Sequence, residues 1–414
     1  MTTSLREAEF MQLRELPPLP DASLPPGSGG SAKAVPARRL AAAALSAGAL
    51  LALLFPALLN GFPLTFYDTG AYLARAFEGD LAPGRGPFYG FFIALLGPAT
   101  SLWPVIAAQA AMVLYLVHLT VKSHGLGGAM VAALVTLGLA ALTGVAWVSA
   151  KVMPDVFTPV VVLGWYLLAF RGERLSRCET ALVAALLFAA VAVHMAHLAL
   201  ALGLALATAA AWAGGAGGGS RRGRALAAGV LGAALLALPL ANFAASRYLG
   251  FTPGAETFLF GRLVESGIVA RFLDERCPAP EYRLCALRAS LPKTAVEWIW
   301  DDDGPFQALG GWQGYREEMT RITLETLKAY PAMHLGAALE AAALQFVRVA
   351  AGEDIAGPYW HTRYIVEKYT PNLLADYLAA AQEDGRIKPI VAALDLVYVP
   401  VAYASLAAAA LLLA

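Results

Sequence analysis

Arg38-Arg39 opens onto an apolar run from Leu40 to about Phe62, and that run gives way to Phe66-Tyr67-Asp68-Thr69-Gly70-Ala71-Tyr72-Leu73. About 20 consecutive apolar residues are what a helix needs to cross the hydrocarbon core of a bilayer. Arginines ahead of the run, and none for many positions after it, predict a cytoplasmic N-terminal side. An acid just beyond such a span, followed by an aromatic helix start, is costly unless it faces a polar surface. Asp68 is therefore read as facing a cavity at the outer membrane surface.

Composition supports a membrane solvent. The chain is 58% hydrophobic and 14% charged, well below the roughly 25% charge of soluble domains. Mean hydropathy is +0.60. The formal net charge is zero, so no global field draws nucleic acid, and the placement of charges carries the information.

Residues 1–39, with Pro17, Pro18, Pro20, Pro25 and Pro26 ahead of a Gly-Ser-rich stretch, read as a disordered cytoplasmic tail. The apolar run starts too late for a cleaved signal peptide. Residues 40–246 read as a transmembrane module whose first outer loop is 63–101. Asp68, Arg75, Glu78, Asp80 and Arg85 make that loop too polar to span. Its aromatic stretches, around Tyr72 and over Pro87–Phe92, predict interfacial helices. Further spans are predicted over 102–121, 126–148, 156–170, 179–194, 197–213 and 225–246. Lys122, then Arg171, Arg174 and Arg177, then Arg221, Arg222 and Arg224 fall at every second loop, as the positive-inside rule requires. Residues 247–388 read as an outer, mostly helical region, and 389–414 as a final transmembrane helix. The stretch 331–351 contains Glu340, Gln345 and Arg348. Each charge costs about 2.5–3.5 kcal/mol at mid-span, which favours an outer or interfacial helix there. The expected fold is thus an all-α polytopic membrane protein with about eight spans, and one more if 331–351 crosses. No internal repeat points to an inverted-repeat transporter.

Several residues carry candidate chemistry, each with a plainer reading beside it. Asp68 is either a helix N-cap or a catalytic acid. Tyr67 and Tyr72 offer aromatic faces and hydroxyls suited to a sugar, and Arg75 and Arg85 offer guanidinium forks for phosphate. Asp155 lies on the same predicted side, four residues beyond Lys151. These two form a simple ion pair, or Asp155 assists Asp68 while Lys151 meets a phosphate; neighbouring carboxylates push their pKa values apart. His194 and His197 share a helix face and read as phosphate contacts or as packing; a metal site would need more ligands. Asp301-Asp302-Asp303 is a divalent-cation loop or a solvated turn. Trp298, Trp300 and Trp312 stack on sugars or fill a core. Cys277 and Cys285 bracket a short polar loop that a disulfide would close outside the cytosol, worth about 2–3 kcal/mol on the chain-entropy model; two free thiols are the alternative. No phosphate loop, serine nucleophile elbow or metalloprotease motif appears, and no cofactor is implied with certainty.

Asn60-Gly61-Phe62-Pro63-Leu64-Thr65-Phe66-Tyr67-Asp68-Thr69-Gly70-Ala71-Tyr72, Arg85-Gly86-Pro87-Phe88-Tyr89 and Met153-Pro154-Asp155-Val156-Phe157 together resemble the GT-C superfamily of integral membrane glycosyltransferases. Within it the pattern is similar to protein O-mannosyltransferases and lipid A aminoarabinose transferases. The resemblance covers roughly residues 40–200. It implies a catalytic acid in the first outer loop (Asp68), with a second near the end of a later span (Asp155). It implies a polyprenyl-phosphate-linked sugar as donor, a glycan, lipid or protein as acceptor, and inversion at the anomeric carbon in a bacterial inner membrane, with the site facing outward. Relatives often pair two acids in this loop, whereas Thr69 follows Asp68 here. A flippase for a lipid-linked glycan and a non-catalytic envelope scaffold are the rival readings. A flippase calls for ionisable groups near mid-span, and these spans are almost free of them.

Overall fold

The computed structural model describes residues 34–78, 84–215, 217–277, 282–352 and 355–413; most of the N-terminal tail, and Asp80 with it, lies outside these. Chain contacts divide the molecule into Met1–Ala42 and Ala43–Ala414. The described part of the first is the opening of α1, and everything below concerns the second. The described residues are 77% helical. Among the described residues there is no strand, only an isolated parallel bridge between Leu64 and Lys151.

In chain order the helices are α1 (Ala34–Asn60), α2 (Thr69–Glu78), α3 (Pro87–Ala94), α4 (Trp103–Ser123), α5 (Ala129–Leu142), α6 (Val145–Ser149) and α7 (Phe157–Arg171). There follow α8 (Arg177–Val193), α9 (Met195–Ala213), α10 (Arg221–Ser246), α11 (Ala255–Glu265), α12 (Ile268–Arg276) and α13 (Ala295–Trp300). The last are α14 (Pro305–Ala308), α15 (Gly311–Gly314), α16 (Arg316–Ala329), α17 (Pro331–Val347), α18 (Trp360–Tyr369), α19 (Leu374–Ala379) and α20 (Lys388–Leu413). Among the described residues six helices, α1, α4, α7 with its flanking turns, α9, α10 and α20, are long and apolar enough to cross a membrane. This is the architecture of a polytopic helical membrane protein.

Two segments expected to span form no helix as long as the about 20 residues of a crossing. The run 126–148 forms as α5, of 14 residues, and the separate short α6. The break falls at Thr143-Gly144, where the Thr143 hydroxyl donates back to Leu139 O at 2.6 Å and competes with the helix ladder. The run 179–194 forms as α8, of 17 residues. A Ser176–Glu179 capping box starts it, and His194 stops it in extended conformation.

The basic loops gather on one face. Lys122 Nζ pairs with Glu179 at 2.6 Å, His124 Nε2 bonds the Tyr166 hydroxyl at 2.8 Å, and Arg171 reaches both. Gly223 sits where α10 meets α7, because a Cβ there would lie 2.2 Å from Leu168 O.

The region 247–388 is not one body. Residues from α11 to α16 enclose a second core around Phe260, Phe272, Trp298, Phe306, Tyr315 and Met319. Cys277 and Cys285 are joined by a disulfide at its edge. The buried Glu318 carboxylate accepts from Leu284 N–H at 3.1 Å and from Arg283 Nε at 3.3 Å, which holds the chain just ahead of Cys285. Residues beyond 355, by contrast, join the core of the spanning helices through Ile355, Ile365, Val366 and Tyr377.

That return places Gln382 against the segment after α1. Gln382 accepts from Thr65 N–H at 2.9 Å and donates to Thr65 O at 2.8 Å and Ile355 O at 2.6 Å. Its own N–H donates to Asn60 Oδ1 at 2.8 Å. All of this is buried, so each group left without a partner costs about 1–3 kcal/mol. Gln382→Ala is expected to destabilise the protein by about 3 kcal/mol or more. A thermal melt in detergent reads this, and a melt superimposable on wild type would contradict it.

Candidate functional site

The chain from Asn60 to Thr69 is mostly extended and leaves α1 with its backbone buried. Backbone groups out of reach of water need partners, and here they come from remote segments. Leu64 N–H donates to Ala150 O at 3.0 Å, and Val152 N–H donates to Leu64 O at 2.8 Å. The Thr69 hydroxyl donates to Val152 O at 3.0 Å and accepts from Phe66 N–H at 2.8 Å. On the other flank, the Thr362 hydroxyl of α18 accepts from Gly70 N–H at 3.0 Å and donates to Phe66 O at 2.8 Å. It thereby satisfies a free N–H in the first turn of α2. Gly70 is required by this approach: a Cβ would stand 2.8 Å from Thr362 Cα.

Asp68 immediately precedes α2, and its backbone carbonyl accepts from Tyr72 N–H at 3.2 Å. Its side chain is committed elsewhere, to an ion pair with Arg85 Nη2. Arg85 is largely buried, packs over the rings of Tyr72 and Phe258 at 5.9 and 5.7 Å, and donates to Gly84 O at 3.1 Å. Its Nε is buried with no acceptor among the described residues. Gly84, at φ +75°, carries the chain past the Phe258 ring, and its N–H donates to Pro253 O at 2.6 Å. The second core thus touches the site through Phe258.

Tyr72 is 1% exposed and meets Tyr89 edge-on at 5.0 Å. Burial pushes its hydroxyl well above the ordinary tyrosine range; Arg85 opposes this and the charges of Asp68 and Asp155 add to it. The charges of Asp155, Arg85 and Asp68 also bear on the His194 ring. Asp155 is exposed in a single turn ahead of α7. Among the described residues no ion pair joins it to Lys151. Lys151 instead lays its Nζ over the Phe66 ring at 5.3 Å, while its backbone pairs with Leu64. Direct contacts thus join Asp68, Arg85 and Tyr72, while Asp155 and His194 are linked to them by charge alone.

Other candidates lie apart from it or are occupied. Arg75 is buried between α2 and α3, over the Phe91 ring at 5.0 Å. His197 bonds Ala190 O at 2.7 Å through Nδ1 and the Thr158 hydroxyl at 2.9 Å through Nε2. Both nitrogens are spent on helix packing, and none is left for phosphate. His194 Nδ1 accepts from Ala196 N–H at 3.2 Å, which leaves Nε2 for other contacts. Tyr67 is half exposed and meets the Tyr359 ring at 4.7 Å. Trp298 is buried in the second core, while Trp300 and Trp312 meet at 6.0 Å. Asp301 Oδ1 accepts from Asp303 N–H at 3.1 Å, which makes the acidic stretch a self-contained turn. Among the described residues no cluster of three His, Cys, Asp or Glu side chains is placed to hold a metal.

Three contributors went unread in the sequence. Gln109, wholly buried in α4, accepts from the Tyr89 hydroxyl at 2.7 Å and donates to Ser149 O and Lys151 O at 3.0 and 2.8 Å. A lone glutamine in an apolar span was its available signal. Thr362 and His361 lie far along the chain, and local sequence gives no sign of either. His361 packs against Gly70, and the charges of Asp68 and Glu78 reach it. Glu78 is itself held by Lys368 at 3.0 Å and by the Tyr369 hydroxyl.

No family model, curated protein or solved structure matches this chain.

Burial holds His361 below the ordinary histidine value, against the pull of Asp68 and Glu78. Above the unfolded value of about 6.5, both folded and unfolded states carry it neutral. As pH falls through that value, the unfolded chain protonates first and stability is lost. The melting temperature is expected to fall between about pH 7 and pH 5, and His361→Gln to flatten that slope. A slope identical in wild type and variant would remove His361 as its source.

Proposed function

We propose that this protein is a membrane glycosyltransferase of GT-C type, which moves a sugar from a polyprenyl phosphate to an acceptor hydroxyl at the outer membrane face. The observation that carries the reading is the Asp68–Arg85 pair just beyond α1, with Tyr72, Asp155 and His194 in the same electrostatic field. An acid and a guanidinium side by side supply the two parts of a single displacement: a proton acceptor and a partner for the departing phosphate.

The pair also suggests a sequence of events. A donor phosphate competes with Asp68 for Arg85, since guanidinium binds phosphate oxygens in a fork. Arg85 Nε, buried without an acceptor among the described residues, marks unused capacity on that guanidinium. Displacement by phosphate frees the Asp68 carboxylate. The acceptor oxygen then attacks the anomeric carbon and its proton passes to Asp68. The bond from the anomeric carbon to the phosphate oxygen breaks, its electrons leave on the phosphate, and Arg85 stabilises the developing charge. The configuration inverts and no covalent enzyme intermediate forms. Asp155 and His194 shape the field around the acid. Tyr67, half exposed at the entrance, offers a ring to a sugar face. Membrane lipids surround the donor's prenyl chain. The basic loops would face the cytoplasm of a bacterial inner membrane, leaving Asp68 on the opposite side.

The test is transfer of labelled sugar from a mixed pool of polyprenyl-phosphate sugars by purified protein in lipid. General base catalysis contributes about 10²–10⁴-fold. Asp68→Asn is therefore expected to cut transfer at least a hundredfold, assayed below the lowered melting temperature that loss of the pair with Arg85 brings. Equal transfer by both proteins would eliminate Asp68 as the base. Labelled lipid that binds wild type and never transfers would turn the reading toward a flippase or scaffold.

A further inference from the structure

Helix α17 contains 17 residues, none of them buried. Leu335, Leu339 and Phe346 are 62%, 62% and 64% exposed. With Ala342 they recur at helical spacing and form one apolar stripe. Met333 and Ala337, on the other side, pack against the second core. Glu340 falls on that same side, at the i+3 position from Ala337. The only acid of the helix therefore points away from the stripe.

The far end of α17 shows where the stripe lies. Phe346 O accepts from the Tyr403 hydroxyl of α20 at 3.1 Å. Ala351 N–H donates to Asp395 at 2.8 Å, and Gly352 packs against Val391. As the chain runs from 346 to 352, its partners on α20 step back from 403 through 395 to 391. The chain thus climbs toward the Lys388 end of α20, and soon afterwards reaches Gln382 and the Asp68 side. At about 1.5 Å per residue, Tyr403 lies about 22 Å along α20 from Lys388. The hydrocarbon core is about 30 Å thick. Irregular backbone at such depth requires protein partners, and Asp395 supplies one.

We infer that α17 is a re-entrant helix. It leaves the second core on the Asp68 side and enters the bilayer with Leu335, Leu339, Ala342 and Phe346 against phospholipid acyl chains. It ends near the level of Tyr403, and 348–352 returns along α20. The second core is thereby anchored in the bilayer by a helix that does not cross it.

The experiment uses full-length protein in vesicles of phosphatidylethanolamine and phosphatidylglycerol. Nitroxide is placed at Leu335→Cys, Leu339→Cys or Phe346→Cys in a Cys178→Ser background, with Leu324→Cys on α16 as the reference. Collisions with oxygen are expected to exceed those with a water-soluble nickel chelate at all three α17 positions, increasingly from 335 to 346, and the order to reverse at 324. Nickel access equal to that at 324 would overturn the inference. So would spin–spin broadening that shows a second copy of the chain over the stripe. For unmodified protein, a photoactivatable acyl-chain probe should label 335–346 as strongly as α20; labelling no greater than that of α16 would also overturn it.

Discussion

The structure depends on one constraint: the extended backbone after α1 is buried and must find hydrogen-bond partners away from its own neighbourhood. The turn at 150–152 supplies one set and Gln382 another, and Thr362 closes the first turn of α2. Segments separated by hundreds of residues are thereby tied to ten residues of chain. Asp68 stands at the end of this strip, where the chain turns into α2. Its position follows from bonds made by its neighbours, which leaves its carboxylate free to pair with Arg85. Gln109 extends the same scheme from inside the bundle. It ties Tyr89 on α3 to the turn that flanks Leu64.

The site has an economy of charge that suits a membrane surface. Ionic groups out of water are tolerated when paired, and Asp68 and Arg85 satisfy one another while the site is empty. The pair is held against the rings of Tyr72 and Phe258, so side chains of the first core and of the second both touch it. A movement of the second core would therefore be felt at Arg85. In the proposed reaction the incoming phosphate replaces Asp68 as the partner of Arg85, so that binding of the donor itself unmasks the base.

Much of the membrane architecture was legible in the sequence because it rests on local properties. The apolar runs of α1, α4, α7 with its flanking turns, α9, α10 and α20 are long enough to cross a bilayer, and arginines mark alternate loops. Length alone misread 126–148, where Thr143 bonds back to Leu139 and Gly144 follows. Composition alone merged 247–388, because two adjacent polar stretches look alike even when one builds its own core and the other returns to the first. The site was legible where polar groups interrupt apolar or aromatic sequence, after α1 and, for Asp155 and His194, at the ends of later helices. Asp68, Tyr72 and Arg85 stand out as polar groups in an aromatic setting. Arg75 looks the same in sequence, yet helix phase turns it between α2 and α3. His197 shares a face with His194, yet the end of α8 offers it the Ala190 carbonyl. Thr362 and His361 come from a helix whose approach is set by tertiary packing, and no periodicity announces it.

The most direct measurement is amide hydrogen exchange across residues 60–70 and 150–152 of the wild-type protein in nanodiscs. The account predicts that Leu64, Thr65, Gly70 and Val152 exchange as slowly as amides in the middle of the spanning helices, because their bonds open only with the fold itself. Exchange within seconds at those positions would contradict it, since Asp68 would then sit on a loop that nothing holds beside Arg85.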